Sequence, residues 1–342
     1  MKIGIVTYYR DPGHVLQRWR GDLLVKYLPR YGHSAEYYRE EESYDLAIVP
    51  ILAENAGIFS RICARGIPVI GEVTDDLLTF PYSYYSPVGR LYYRLKFNLG
   101  GRRARFREML ERSRHVVAGS EFQRKKFLAY NPNVSRLTDA VTPDILGLHA
   151  RYDNPGPCRL AWFGNVMSLH GFKAMGDALD ILAARGSYEL VLIVSDYVQG
   201  RFLGAYPRTV HEFIGRQKIP CRHVQWSYEA QLRETAACDI GIVPVDVKEP
   251  FVAAKPSGRA LLMMGLGLPV VAGPLDAYIS DIPEGAGFIA RTPGDWVELV
   301  EKLRADPALR ENTGTRARQL VQSGFSEQAF AAKYAQIIDR VK

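Results

Sequence analysis

Short apolar runs alternate with stretches of helical period along this chain of 342 residues. The run Lys2–Thr7 is followed by a stretch over His14–Tyr31 whose apolar residues recur every three to four positions. The same alternation predicts strands at Ala35–Tyr38, Leu46–Pro50, Val69–Val73 and His115–Ala118, and helices over Ala53–Arg65, Val88–Ser113 and Glu121–Tyr130. Near-continuous apolar strands are buried on both faces, which predicts a parallel sheet with helices on each side. The polar stretch Arg151–Pro157, with two prolines and a glycine, reads as a linker. The pattern then restarts, with strands at Arg159–Phe163, Leu190–Val194, Val224–Trp226, Ile240–Val245, Val270–Ala272 and Gly287–Ile289. Helices are expected over Phe172–Arg185, Tyr206–Arg216, Glu229–Ala237, Ser257–Gly265, Trp296–Ala305, Arg310–Gln322 and Glu327–Val341. The chain exceeds the roughly 250–300 residues at which one core stops growing. The expectation is therefore two Rossmann-like, doubly wound α/β domains, residues 1–152 and 157–325, facing each other across a cleft lined by the loops after their strands.

Composition narrows the class. At 47% hydrophobic and 24% charged residues, the chain is an ordinary globular one rather than a disordered one. Cys63, Cys158, Cys221 and Cys238 stand apart, with no C-x-x-C pair and no metal-ligand spacing, so no metal site is expected and a reducing cytoplasm suits them. No apolar run approaches the roughly 20 residues that span a bilayer, and Met1–Val6 runs straight into a strand, so no signal peptide is expected. The net charge of +7 favours an anionic partner and leaves open nucleotide phosphates, an acidic membrane surface or nucleic acid.

The most informative stretch is Lys255-Pro-Ser-Gly-Arg259-Ala-Leu-Leu-Met-Met-Gly-Leu-Gly267-Leu-Pro269-Val-Val. Pro256 and Ser257 are start signals for a helix, whose free N–H groups and dipole attract phosphate. Lys255 and Arg259, four apart, can lie on one face and clasp a diphosphate. A second stretch, Leu160-Ala-Trp-Phe163-Gly164-Asn165-Val-Met-Ser168-Leu-His170-Gly171, reads as a strand, a glycine turn and a helix start.

These two stretches resemble the retaining GT-B glycosyltransferases of the large family-4 type. Many of those carry a Lys-x-x-x-Lys/Arg pair ahead of a helix ending in Met-Ala-x-Gly-Leu-Pro-Val-Val, matched here by Lys255, Arg259, Met264, Gly267, Leu268, Pro269, Val270 and Val271. The resemblance implies that Lys255 and Arg259, with Gly164, Asn165 and the helix start at Ser257, bind the diphosphate of a nucleotide-sugar donor. It also implies transfer to an acceptor hydroxyl with retention, and no cofactor beyond the donor itself. Ser323-Gly324-Phe325-Ser326-Glu327 resembles the turn after which family members cross back, so residues 326–342 are expected to pack on the first domain. The sequence departs from the pattern where Ala254 and Leu262 replace two family glutamates; Glu249 lies too early to substitute for the first of them. His170 stands where the usual lysine precedes Gly171.

The remaining candidates lie in the first domain. Val69–Val73 delivers Asp75 and Asp76 to the cleft end of its strand; neighbours point oppositely, and Asp76 is the choice for the catalytic carboxylate, with His170 its companion. The alternative for Asp76 is a helix cap. Asp75, Ser120, Arg10 and His14 are candidate acceptor or sugar contacts, with capping the competing use of Ser120. Asp75-Asp76 lacks Asp-x-Asp spacing, so the two cations rather than a metal are expected to meet the leaving diphosphate. The stretch Arg90–Arg114 carries nine basic residues interleaved with aromatics, which suits peripheral docking on an anionic inner membrane face, whereas no nucleic-acid module is recognisable. Two other readings remain: a non-catalytic GT-B-like subunit that binds sugar nucleotides, and a sugar-nucleotide epimerase of the same fold.

Overall fold

The computed structural model describes residues 1–7, 17–79, 84–195 and 207–341. Two six-stranded, wholly parallel sheets form the architecture. The first contains β1 (Lys2–Ile5), β2 (Ser34–Tyr37), β3 (Leu46–Pro50), β4 (Val69–Val73), β5 (His115–Ala118) and β6 (Val134–Arg136), in the order β2-β1-β3-β4-β5-β6. The second contains β7 (Cys158–Gly164), β8 (Tyr188–Val194), β9 (Cys221–Gln225), β10 (Ile240–Val243), β11 (Val270–Ala272) and β12 (Phe288–Ile289), in the order β12-β11-β10-β7-β8-β9.

Alternation along each strand builds a core on both faces of its sheet. In the first domain Ile3, Ile5, Leu46, Ile48 and Ile70 meet the C-terminal helix, while Ala47, Val49, Val69 and Val116 meet Phe59, Phe106 and Phe127. In the second, Ala161, Phe163, Val191 and Val243 pack on the helix Gly258–Gly265, while Leu160, Trp162, Leu192 and Ile242 pack on Phe172 and Trp296. This two-faced burial is why the strands read as continuous apolar runs.

Several elements differ from expectation. β6 is an extra strand of three residues, VSR, too short and polar for the pattern to reveal. The single helix expected over Val88–Ser113 is two, Pro87–Leu99 and Arg102–Arg112, broken where Gly101 takes φ +64°, a conformation costly to any other residue. The crossing between domains lies ahead of Arg151–Pro157: Leu137 and Ala140 belong to the first core, whereas Val141, Ile145 and Ala150 belong to the second. The outgoing and returning chains meet there, with the Val141 N–H donating to the Phe325 carbonyl at 2.7 Å and Val141 bridging to Ser326. The helix Glu327–Val341 then lays Phe330, Tyr334 and Ile338 into the first core.

One buried charge cluster joins these parts. The fully buried Arg20 donates through Nη1 to Glu72 on β4, and through Nε and Nη2 to Asp139 at 2.9 and 2.6 Å, with its guanidinium 5.7 Å from the Phe330 ring. Two carboxylates share this cation, so burial and the charge of Asp139 push Glu72 well above the usual carboxylate range. Removing a buried partner leaves uncompensated charge, typically worth about 3–5 kcal/mol. Arg20→Met should destabilise the protein by about that amount in urea unfolding; a loss below about 1 kcal/mol would show that the cluster does not hold the C-terminal helix in place.

Candidate functional site

A cavity of about 490 Å³ lies between the domains at the carboxyl ends of β4, β7 and β10. That is where loops of doubly wound sheets receive ligands. The first domain supplies Thr74, Asp75, Tyr84 and Asp139; the second supplies the loops after β7 and β10 and the start of the helix Gly258–Gly265. Two cross-domain ties set the spacing. The Ser120 hydroxyl donates to the Ala254 carbonyl at 2.9 Å. Asp281 accepts from Arg136, from the Thr138 hydroxyl at 3.4 Å and from the Ser257 hydroxyl at 2.5 Å.

Lys255 and Arg259 both line the cavity but in different electrostatic states. Lys255 donates from Nζ to Asp75 Oδ1 at 2.5 Å across the domain boundary and lies 4.4 Å from the Phe251 ring centroid. Burial works against its ammonium, but Asp75 and the Tyr84 hydroxyl outweigh it and raise the pKa. Arg259 has no hydrogen bond or ion pair among the described residues; its guanidinium stacks 5.0 Å from the Trp162 ring. Burial lowers its pKa, opposed by the nearby Tyr84 and Tyr278 hydroxyls.

Gly164 makes that stacking geometrically possible. A Cβ there would stand 2.8 Å from Arg259 Nη2 and 2.9 Å from the Trp162 ring. Arg259 belongs to the helix on one face of the second sheet and Trp162 packs on the other, so the guanidinium passes the strand end where Gly164 has no side chain. Gly164 thus shapes the cation's position, whereas Asn165 lines the cavity and caps the following turn, accepting from the Ser168 N–H at 2.9 Å.

The other sequence candidates separate. Asp75 is the carboxylate that β4 delivers to the cavity. Asp76 is not: its buried carboxylate accepts from the Leu78 N–H at 3.0 Å, from Lys126 Nζ at 2.5 Å and from the Thr79 hydroxyl, so it organises its own turn and does not line the cavity. Ser120 is likewise a cap, accepting from the Gln123 N–H at 3.2 Å while tying Ala254, and it too lies outside the lining. Ser257 is fully buried and spent on Asp281, leaving the helix start to act through its backbone. His170 lines the cavity; burial first, then the charges of Lys173 and Arg90, lower its pKa to about 4, against a smaller opposing effect of Asp246. Arg10 and His14 lie outside the described residues.

Sequence reasoning missed Tyr84, Tyr278 and Asp139 in the lining and Trp162 beneath the guanidinium. Tyr84 and Tyr278 sit in no recognisable spacing, and Trp162 reads simply as a buried strand residue. Of the two positions lacking family glutamates, Leu262 lines the cavity and Ala254 is buried, its carbonyl the acceptor for Ser120. Among the described residues no group of three or more His, Cys, Asp or Glu side chains is placed to hold a metal ion.

The sequence matches no protein-family profile and no curated protein. Its fold is nevertheless shared with solved structures over essentially the whole chain. Sucrose-phosphate synthase from Thermosynechococcus elongatus superposes with a TM-score of 0.69 at 14% identity, covering 100% of this chain and 99% of the other. HepE from Anabaena, solved in complex with UDP-glucose, superposes with a TM-score of 0.63 at 15% identity, covering 99% and 100%. A glycosyltransferase from Rickettsia africae gives 0.62 at 16% identity, covering 99% and 98%. The two parallel sheets facing one cleft are the GT-B fold of these proteins.

Proposed function

We propose that this protein is a glycosyltransferase that binds a nucleoside-diphosphate sugar in the interdomain cavity and transfers the sugar to an acceptor hydroxyl. The observation that carries this reading is Arg259, a guanidinium at the helix start with no anionic partner among the described residues, facing a cavity between two domains. The cavity volume falls within the roughly 300–1,000 Å³ of small-molecule sites. HepE, of the same fold, holds UDP-glucose, which supports the same ligand class here.

The mechanism follows from charge. Departure of a nucleoside diphosphate develops negative charge, and preorganised cations and N–H dipoles stabilise it. Arg259 supplies a fixed planar donor, the first turn of Gly258–Gly265 supplies free N–H groups, and Lys255 exchanges Asp75 for phosphate oxygen. A released Asp75 stands at the first-domain wall, opposite the diphosphate, where the sugar and acceptor meet. With both cations in place the transfer needs no divalent metal; retention is carried over from the family-4 resemblance of the Lys255–Val271 stretch, and the anomeric coupling of the product reads it out. The buried apolar side chains of Ala254 and Leu262 favour a second reading, a non-catalytic subunit that binds the donor and shows no turnover.

The two cations should respond differently to removal. In calorimetric titrations with nucleoside diphosphate in EDTA buffer, Arg259→Ala should lose about 1.5–3 kcal/mol of affinity, the scale of charge-assisted bonds. Lys255→Ala should lose less, since its charge is already met by Asp75. Undiminished binding in both variants, or binding that EDTA abolishes, would contradict this donor site.

His170 enters as a neutral hydrogen-bonding group. Its folded pKa near 4 lies below the ordinary value of 6.5. Between those values the unfolded chain takes up the proton and the folded chain does not, so stability falls as pH is lowered through that window. His170→Asn should flatten that part of the stability–pH curve in urea unfolding; identical slopes in parent and variant would show that the imidazole is not held neutral.

A further inference from the structure

The helix Pro87–Leu99 turns five large apolar residues toward solvent. Val88, Leu91, Tyr92, Leu95 and Leu99 are between 50% and 83% exposed. At about 100° per residue they occupy an arc of roughly 100°, the stripe that a helix of a globular protein ordinarily buries. The opposite side anchors the helix: Gly89 is buried, Tyr93 stacks on Tyr85 with centroids 4.4 Å apart, and Ser86 caps the first turn.

The charges around the stripe have one sign. Arg94 and Lys96 flank it on either side, and the helix contains no acidic residue. Among the described residues Arg94, Lys96 and Arg103 have no hydrogen bond or ion pair. The following helix is mostly compensated, Arg103 apart: Arg102 pairs with Glu54, Arg107 with Glu111 and Arg112 with Glu108. Arg94 and Lys96, both without a partner among the described residues, therefore stand on either side of the apolar stripe.

We propose that Pro87–Leu99 docks this protein on an anionic lipid bilayer, with the stripe in the headgroup layer and Arg94 and Lys96 at lipid phosphates. A narrow apolar arc between cations, with a tyrosine in it, is the arrangement of helices that lie in the membrane interface. A second copy of the chain fits less well, because its stripe would bring the same unpaired cations face to face. Among the described residues no helix is long and apolar enough to cross a membrane, so the contact is peripheral. The helix begins at Pro87, three residues after Tyr84 of the cavity lining, which places the docking element near the cavity. The docking does not rest on the glycosyl-transfer reading.

Co-sedimentation with phosphatidylcholine vesicles, with and without phosphatidylglycerol, tests this without any sugar chemistry. The parent should bind the phosphatidylglycerol vesicles at least about tenfold more strongly, with binding that fades as salt rises. Leu91→Gln/Leu95→Gln should lose about tenfold at an unchanged melting temperature, since both side chains are exposed. Arg94→Glu/Lys96→Glu should lose the preference for phosphatidylglycerol. A parent that ignores those vesicles, or a glutamine variant that sediments like the parent, would overturn the proposal. So would a parent dimer in analytical ultracentrifugation that the glutamine substitutions dissolve, which would assign the stripe to self-association.

Discussion

A guanidinium held in a protein cavity without a carboxylate beside it is costly, because water is partly removed and no fixed anion replaces it. Arg259 is in that position, and its neighbours offset the cost only in part. The Trp162 face attracts the cation, the gap at Gly164 admits it, and the phenol oxygens of Tyr84 and Tyr278 lie nearby. The proposed diphosphate would complete the arrangement. The helix that bears Arg259 is tied to the other domain at its start, where Ser257 donates to Asp281 and Asp281 also accepts from Arg136 and Thr138.

The domains are thus spaced by ties that do not involve the ligand, and one that would. Ser120 on Ala254 and Arg136 on Asp281 are structural. Asp75 on Lys255 joins a cavity carboxylate to a cavity cation, so in the proposed complex donor phosphate and Asp75 would compete for one ammonium. Below this level, Arg20 holds β4, the Asp139 loop and the returning C-terminal helix around a single charge, and Asp139 itself reaches the cavity wall.

The plan of two doubly wound α/β domains was legible because strands buried on both faces leave unbroken apolar runs, and Leu46–Pro50 and Val69–Val73 match residue for residue. β6 was not, because three edge residues carry no periodicity. The break at Gly100–Gly101 was signalled by the Gly-Gly pair itself, and the helical period on both sides of it carried the single-helix reading past that signal. Within the site, Lys255 and Arg259 were legible from a helix start with two cations four apart. Which of Asp75 and Asp76 faces the cavity was not, because alternation fixes only that they differ; Lys126, fifty residues on, captures Asp76. Ser257 and Ser120 look like ligand hydroxyls in sequence, and both are committed to partners that only the tertiary structure brings near.

The most direct measurement is a thermal-unfolding panel of nucleosides, nucleoside monophosphates, diphosphates and diphosphate sugars, since a ligand of the folded state raises the melting temperature by mass action. A site built around Arg259 and a helix start reads the diphosphate. One base series should therefore give little shift with the nucleoside, more with the monophosphate, and the largest shifts with the diphosphate and its sugar. Equal shifts from nucleoside and diphosphate, or none across every base tested, would contradict the account.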